Sequence, residues 1–170
     1  MRVWGRTTVA IGVLALLVLV GASCRGSDGA SLQSHAPVVF VCKNGVAMSV
    51  WSAFTFNRLA ADRGLSVRAI SRAAEPTFTR VPLNMRLALA LDGFGIGDYE
   101  PRVVGFAEVR AAERVILIDA QLPSSVAVPD RPIETWTGFP PMREKYFESR
   151  AALRVRVEGL VDRLANSSTR

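Results

Sequence analysis

Beyond one cysteine near the N-terminus, Cys24, the chain has a single thiol, Cys42, and its only histidine is His35. No internal disulfide and no dithiol relay is available to a folded region with one cysteine. A histidine-built metal centre and a cysteine–histidine pair are excluded by count. His35 lies in a polar stretch and reads as a linker residue. The chain also lacks a dense Lys/Arg run. Its formal charge is +6, and removing residues 1–23 leaves 19 Lys and Arg against 15 Asp and Glu, a net +4. Arg72, Arg80, Arg102, Arg143 and Arg150 are scattered and read as solvated surface, so no nucleic-acid partner is expected. No internal repeat is present. No metal and no cofactor is expected.

What is there begins with a membrane signal. Met1–Arg6 is short and basic, Thr7–Val20 is a continuous apolar run, and small residues lead to Cys24. These are the three parts of a secretory signal over residues 1–23. The end "GASC" resembles a bacterial lipobox, which would make Cys24 the lipidated N-terminus, although Gly21 stands where leucine is usual. Ordinary cleavage near Ala22–Ser23 and a retained anchor over Val3–Ala22 are the alternatives. Each predicts export. The lipidated form would be a membrane-anchored lipoprotein facing the periplasm or cell exterior. Residues 24–36, rich in Gly and Ser, read as a tether. A single domain is expected over 37–165, with a tail at 166–170.

The domain alternates strands and helices. Val38–Val41, Ser66–Ser71, Val115–Ile118 and Ile133–Trp136 read as strands, the first and third as fully apolar runs of a buried parallel sheet. Ser49–Arg63 reads as a helix closed by Gly64, burying Trp51, Phe54 and Leu59. Arg80–Leu91 reads as a second, with Leu83, Leu87 and Leu91 at i, i+4 and i+8. Gly105–Ala112 is a short third. Met142–Ala165 follows Pro140–Pro141, with Leu153, Val157, Leu160, Val161 and Leu164 on one face. The pattern predicts an α/β fold, a doubly wound four-stranded parallel sheet with helices on both faces.

In such sheets ligands bind beyond the carboxyl ends of strands. Cys42 stands at that place on the first strand, and Lys43, Asn44, Gly45, Val46, Ala47, Met48 and Ser49 lead into a helix. Their N–H groups are expected to cradle an anion, and the helix N-terminus favours a thiolate. A small buried cysteine ending a strand is the plain alternative. Trp51, Phe54, Trp136 and Phe139 are expected to pack, and Tyr99 and Tyr146 to be core or surface, with the mouth of a pocket as the alternative.

The stretches "VVFVCKNGVAMSVWSAFTFNRLA", "LSVRAISRAA", "AERVILID" and "WTGFPPMREKYFESRAALRVRVEGLVDRL" resemble the low-molecular-weight protein tyrosine phosphatases and the related thioredoxin-coupled arsenate reductases. The likeness runs over roughly residues 37–165. It implies a Cys-x5-Arg-Ser loop whose thiolate attacks phosphorus, whose arginine holds phosphate oxygens and whose serine steadies the thiolate. It also implies an aspartate, from an Asp-Pro pair before the last helix, that protonates the leaving oxygen. Carried over, the nucleophile falls on Cys42 and the serine on Ser49. The arginine position is Met48, the loop asparagine position is Gly45, and the aspartate position is Pro141, or Pro140 with a different gap.

Those departures carry weight. Methionine cannot make the planar two-point contact of a guanidinium. Losing such a donor costs roughly 10² to 10³ in rate, and losing a general acid another roughly 10² to 10⁴. Asp130, Glu134 or Asp119 as acid, and Lys43 or Arg72 as cation, are the substitutes the sequence offers. A cysteine-relay arsenate reductase needs further thiols that are absent. Three readings result: a degenerate phosphatase domain that binds an oxyanion or a protein partner, a working phosphatase with substitute groups, or an empty structural domain.

Overall fold

A computed structural model of the chain describes residues 38–168. The expected signal, Cys24 and the tether lie outside the described residues. Four parallel strands form one sheet, β1 (Val38–Cys42), β2 (Ala69–Ala73), β3 (Arg114–Ile118) and β4 (Ile133–Trp136), in the order β2-β1-β3-β4. The helices are α1 (Met48–Asp62), α2 (Leu83–Leu91), α3 (Phe106–Ala111) and α4 (Tyr146–Ser168). Among the described residues no helix is long and apolar enough to cross a membrane.

β1 is central, and its five residues are all buried because both sheet faces are covered. Side chains alternate across the pleat. Phe40 and Cys42 join the layer shared with α1, α2 and α4, where Phe40 meets the rings of Phe56 at 5.9 Å and Trp136 at 5.7 Å. Val39 and Val41 join the opposite layer, with Ile70, Val109, Val115 and Leu117, under α3.

Several expected boundaries move: the helix expected from Arg80 begins at Leu83, and the last helix runs past Ala165 to Ser168. The second strand runs Ala69–Ala73, where Ser66–Ser71 was expected. Asn57 of α1 holds both backbone groups of Ala69, accepting from its N–H at 2.7 Å and donating to its carbonyl at 3.0 Å. Arg68 turns back to the carbonyls of Leu65 and Val67, which keeps 65–68 out of the sheet. At the other end, buried Arg72 extends the strand because Glu108 of α3 neutralises it. The last helix starts at Tyr146, where Met142 was expected. The Pro141 carbonyl takes the N–H groups of Glu144 and Lys145, closing a separate turn first.

The structure also shows which face of α2 is covered. Its buried residues are Met85 and Leu89, while Leu83, Leu87 and Leu91 are 71%, 60% and 78% exposed. The helix is apolar on two sides, and the leucine spacing marked the uncovered one.

Asp92, just after α2, ties three helices together. Its carboxylate accepts from Trp51 Nε1 of α1 at 2.7 Å and from the Tyr146 hydroxyl of α4 at 2.7 Å, and pairs with Arg150. Burial, and then the acidic acceptor itself, hold the Tyr146 phenol well above the usual tyrosine range. Asp92→Ala should destabilise the domain by about 2–3 kcal/mol in urea denaturation, because it strands partly buried donors.

Candidate active site

The site is built from the end of β1 outward. β1 stops at Cys42, whose carbonyl accepts from Ala74 N–H at 3.0 Å, and the Lys43 carbonyl accepts from Glu75 N–H at 2.8 Å. The loop then bends at Gly45, with φ +63°. A Cβ there would sit 3.0 Å from Ala73 Cβ and 3.1 Å from Ala73 N, so the turn admits only glycine without displacement. Asn44 Oδ1 accepts from the Thr77 amide and hydroxyl at 2.9 and 2.8 Å. The loop is thereby fastened to the segment after β2. Among the described residues, the N–H groups of Lys43 to Ser49 donate to no protein acceptor. They stand free at the start of α1, where the helix dipole adds positive potential.

Behind the loop runs a buried hydroxyl network. Cys42 Sγ lies 3.0 Å from Ser49 Oγ, which receives the Ser71 hydroxyl at 2.9 Å. Tyr99 places its hydroxyl 3.1 Å from Ser71 Oγ and 2.9 Å from the Gly45 carbonyl. Ser71 gives its single proton to Ser49, which leaves the Ser49 proton for the sulfur. Tyr99 then satisfies either the Gly45 carbonyl or Ser71. Proton counting therefore aims a donor at Cys42. Burial pushes the Tyr99 phenol up from 10.0 to about 12.

In front of the sulfur is a cavity of about 210 Å³. Cys42, Lys43, Asn44, Val46, Ala47 and Met48 line one side, and Pro141, Met142, Arg143 and Glu144 the other. Gly45 and Ser49 take no part in the lining: the first backs onto Ala73 and the second lies behind the sulfur. The expected positions of the missing cation and acid, Met48 and Pro141, thus face the same space. Met48 is half-buried and packs against the core as part of the wall. A neighbouring cleft of about 510 Å³ shares Lys43 and includes Glu75, Asp119 and Thr137.

Most substitutes read from sequence are placed elsewhere. Arg72 points to the opposite sheet face, where Glu108 and the Ser71 carbonyl hold it. The Asp119 carboxylate accepts from the amides of Gly138 and Phe139 and belongs to the neighbouring cleft. Glu134 accepts from Trp136 Nε1 and pairs with Arg163. Asp130 sits in a turn at φ +62° and does not line the cavity. Lys43 alone lines it. Arg143 and Glu144 were missed. Arg143 carries its guanidinium 5.4 Å from the Phe78 ring centroid and is exposed. Their only signal in the sequence is that they follow Pro141 within three residues. Among the described residues no His/Cys/Asp/Glu cluster is arranged to hold a metal.

No protein-family model and no curated protein sequence matches the chain. Solved structures do. An arsenate reductase from Archaeoglobus fulgidus is 28% identical over 74% of this chain and 98% of its own, with a TM-score of 0.57. A low-molecular-weight protein tyrosine phosphatase from Streptococcus pyogenes is 14% identical over 75% of this chain and 91% of its own, with a TM-score of 0.62. The chain is similar to the low-molecular-weight protein tyrosine phosphatases and arsenate reductases and has their fold. A thioredoxin-dependent arsenate reductase from Corynebacterium glutamicum, 20% identical over 83% of this chain and 67% of its own, has the same fold at a TM-score of 0.60. The family's four-stranded α/β architecture is the one expected from the sequence.

Tyr99 gives the site a pH signature. Folding keeps its phenol protonated above the unfolded value of 10.0, so stability is intact below that pH and falls as pH rises toward about 12. Tyr99→Phe should remove about 2–3 kcal/mol of that alkaline loss, measured as the difference in unfolding free energy between pH 9 and about 12.

Proposed function

We propose that this chain is an exported, membrane-tethered member of the family whose Cys42 loop binds a phosphate-like oxyanion, free or borne by a partner protein, without efficient turnover. One observation carries the reading. The cavity in front of Cys42 is walled by Met48 and Pro141 at the positions where the family resemblance expects a guanidinium and a carboxylic acid. The unpaired loop amides can still hold oxygens, and Lys43 and Arg143 place positive charge at the rim. Neither cation replaces a guanidinium fixed within the loop. The N-terminal basic, apolar and small-residue sequence ending at Cys24 supports export and anchoring.

Thermal unfolding of the intact chain in mild detergent, with and without inorganic phosphate or tungstate, tests the reading. Binding to the native state should raise Tm by several degrees at about 100 times Kd, where the stabilisation is about 2.7 kcal/mol. Cys42→Ser should keep the shift. Arg143→Ala should weaken it several-fold. An unchanged Tm at saturating anion would leave the loop as an empty structural remnant.

A second reading rests on Glu144, which lines the same cavity as Cys42. There Cys42 would attack phosphorus while Glu144 protonates the departing oxygen and Arg143 offsets charge on the phosphoryl group. Water would then release phosphate from the cysteine. Arsenate reduction by a cysteine relay is not part of either reading, because Cys42 has no later thiol to pass electrons to.

A further inference from the structure

α2 carries an apolar surface that the fold leaves uncovered. Seven of its nine residues are apolar, "LNMRLALAL". Met85 and Leu89 fill the core with Phe94 and Ile96. Leu83, Leu87 and Leu91 recur every four residues on another side, each more than half exposed. A helix that is apolar all round is one covered on all sides, and this one is covered on a single side. Three large exposed side chains at helical spacing form a continuous stripe, unlike the singly scattered apolar residues normal on a protein surface.

The charges beside the stripe point to what covers it. Residues 80–91 contain two cations, Arg80 and Arg86, and no acid. Both arginines are exposed, and among the described residues neither forms an ion pair. They flank the 240 Å³ cavity beyond the helix, where Asp98 and Glu100 face them from the following loop. A leucine stripe with one arginine just before the helix and one within it matches a lipid surface with anionic headgroups: the apolar side chains enter the acyl boundary and the guanidinium groups stay with phosphate.

A nine-residue helix is a weak anchor alone, but this one need not act alone. If Cys24 or the apolar run before it sits in the bilayer, residues 24–37 span no more than about 50 Å. The domain then stays within about 50 Å of the membrane, and a second, weak contact becomes intramolecular. We infer that α2 is a membrane-docking face, laying Leu83, Leu87 and Leu91 on an anionic bilayer and fixing the orientation of the domain on it. The inference rests on the membrane-anchoring part of the proposed function, not on what the Cys42 cavity binds.

The test is hydrogen exchange on the intact chain reconstituted in vesicles, either of phosphatidylcholine alone or with phosphatidylglycerol added. Flotation first reports anchoring. Amides of 83–91 should then exchange roughly tenfold more slowly with phosphatidylglycerol present, while those of 106–111 in α3 stay unchanged. The triple change Leu83→Gln, Leu87→Gln, Leu91→Gln alters only exposed positions and keeps good helix formers. It should abolish the protection, as should Arg80→Gln with Arg86→Gln. Equal exchange in both lipids in a chain that floats would overturn docking and leave anchoring intact. A chain that does not float would overturn both. Protection that grows with the protein-to-lipid ratio and ignores phosphatidylglycerol would overturn docking too, and assign the stripe to a second copy of the chain.

Discussion

Past the end of the sheet, Ala74 and Glu75 donate to the carbonyls of Cys42 and Lys43, and Gly45 presses its bare Cα side against Ala73. The β1–β2 pairing therefore continues into the loop, with Cys42 already opposite Ala73 in the strand register. Everything else at the site depends on this clamp. It curves Lys43–Ala47 around the sulfur, and leaves their amides without acceptors among the described residues. It brings the Gly45 carbonyl within reach of Tyr99, and through Tyr99 and Ser71 it ties the loop to the hydroxyl that faces Cys42. A loop held at so many points keeps its shape whether or not anything is turned over in it.

That clamp holds the loop's form independently of the residues at positions 48 and 141. Met48 opens α1 and Pro141 precedes the turn into α4. Neither position belongs to the clamp, so exchanging a cation or an acid there leaves the curvature of the loop intact. The exchange alters what the cavity can stabilise. Backbone dipoles and rim charges hold an anion in its ground state, whereas rate depends on groups matched to charge that develops during reaction. The lining near the sulfur, with Val46, Ala47, Met48, Pro141 and Met142, is apolar, and the cations Lys43 and Arg143 reach it from side chains that are not fixed in the loop.

The sequence exposed the parts of this structure that are local. The apolar runs of β1 and β3, the glycine turn after Cys42 and the approximate helix spans are written in consecutive residues, where sterics and burial act directly. The parts it hid are those set by distant partners. β2 begins at Ala69 because Asn57, on another element, captures that residue's backbone, and it can end with a buried arginine only because Glu108 lies across from it. The leucine repeat of α2 gave its helical period and not its buried face, since a helix apolar on two sides does not say which is covered. Tyr99 looked like an ordinary core or surface aromatic, yet it closes the network behind Cys42. Arg143 and Glu144 reach the cavity from a turn a hundred residues downstream, which no motif near Cys42 announces.

The central claim is that the loop geometry survives while efficient phosphoryl chemistry does not. Hydrolysis of an aryl phosphate across pH 5 to about 8 tests it most directly, comparing the native chain, Cys42→Ser, and a double variant carrying Met48→Arg and Pro141→Asp. The account predicts an inert native chain and a double variant that gains turnover abolished by adding Cys42→Ser. Brisk native turnover that disappears in Cys42→Ser would contradict it, and would make Glu144 and Arg143 the first residues to change next.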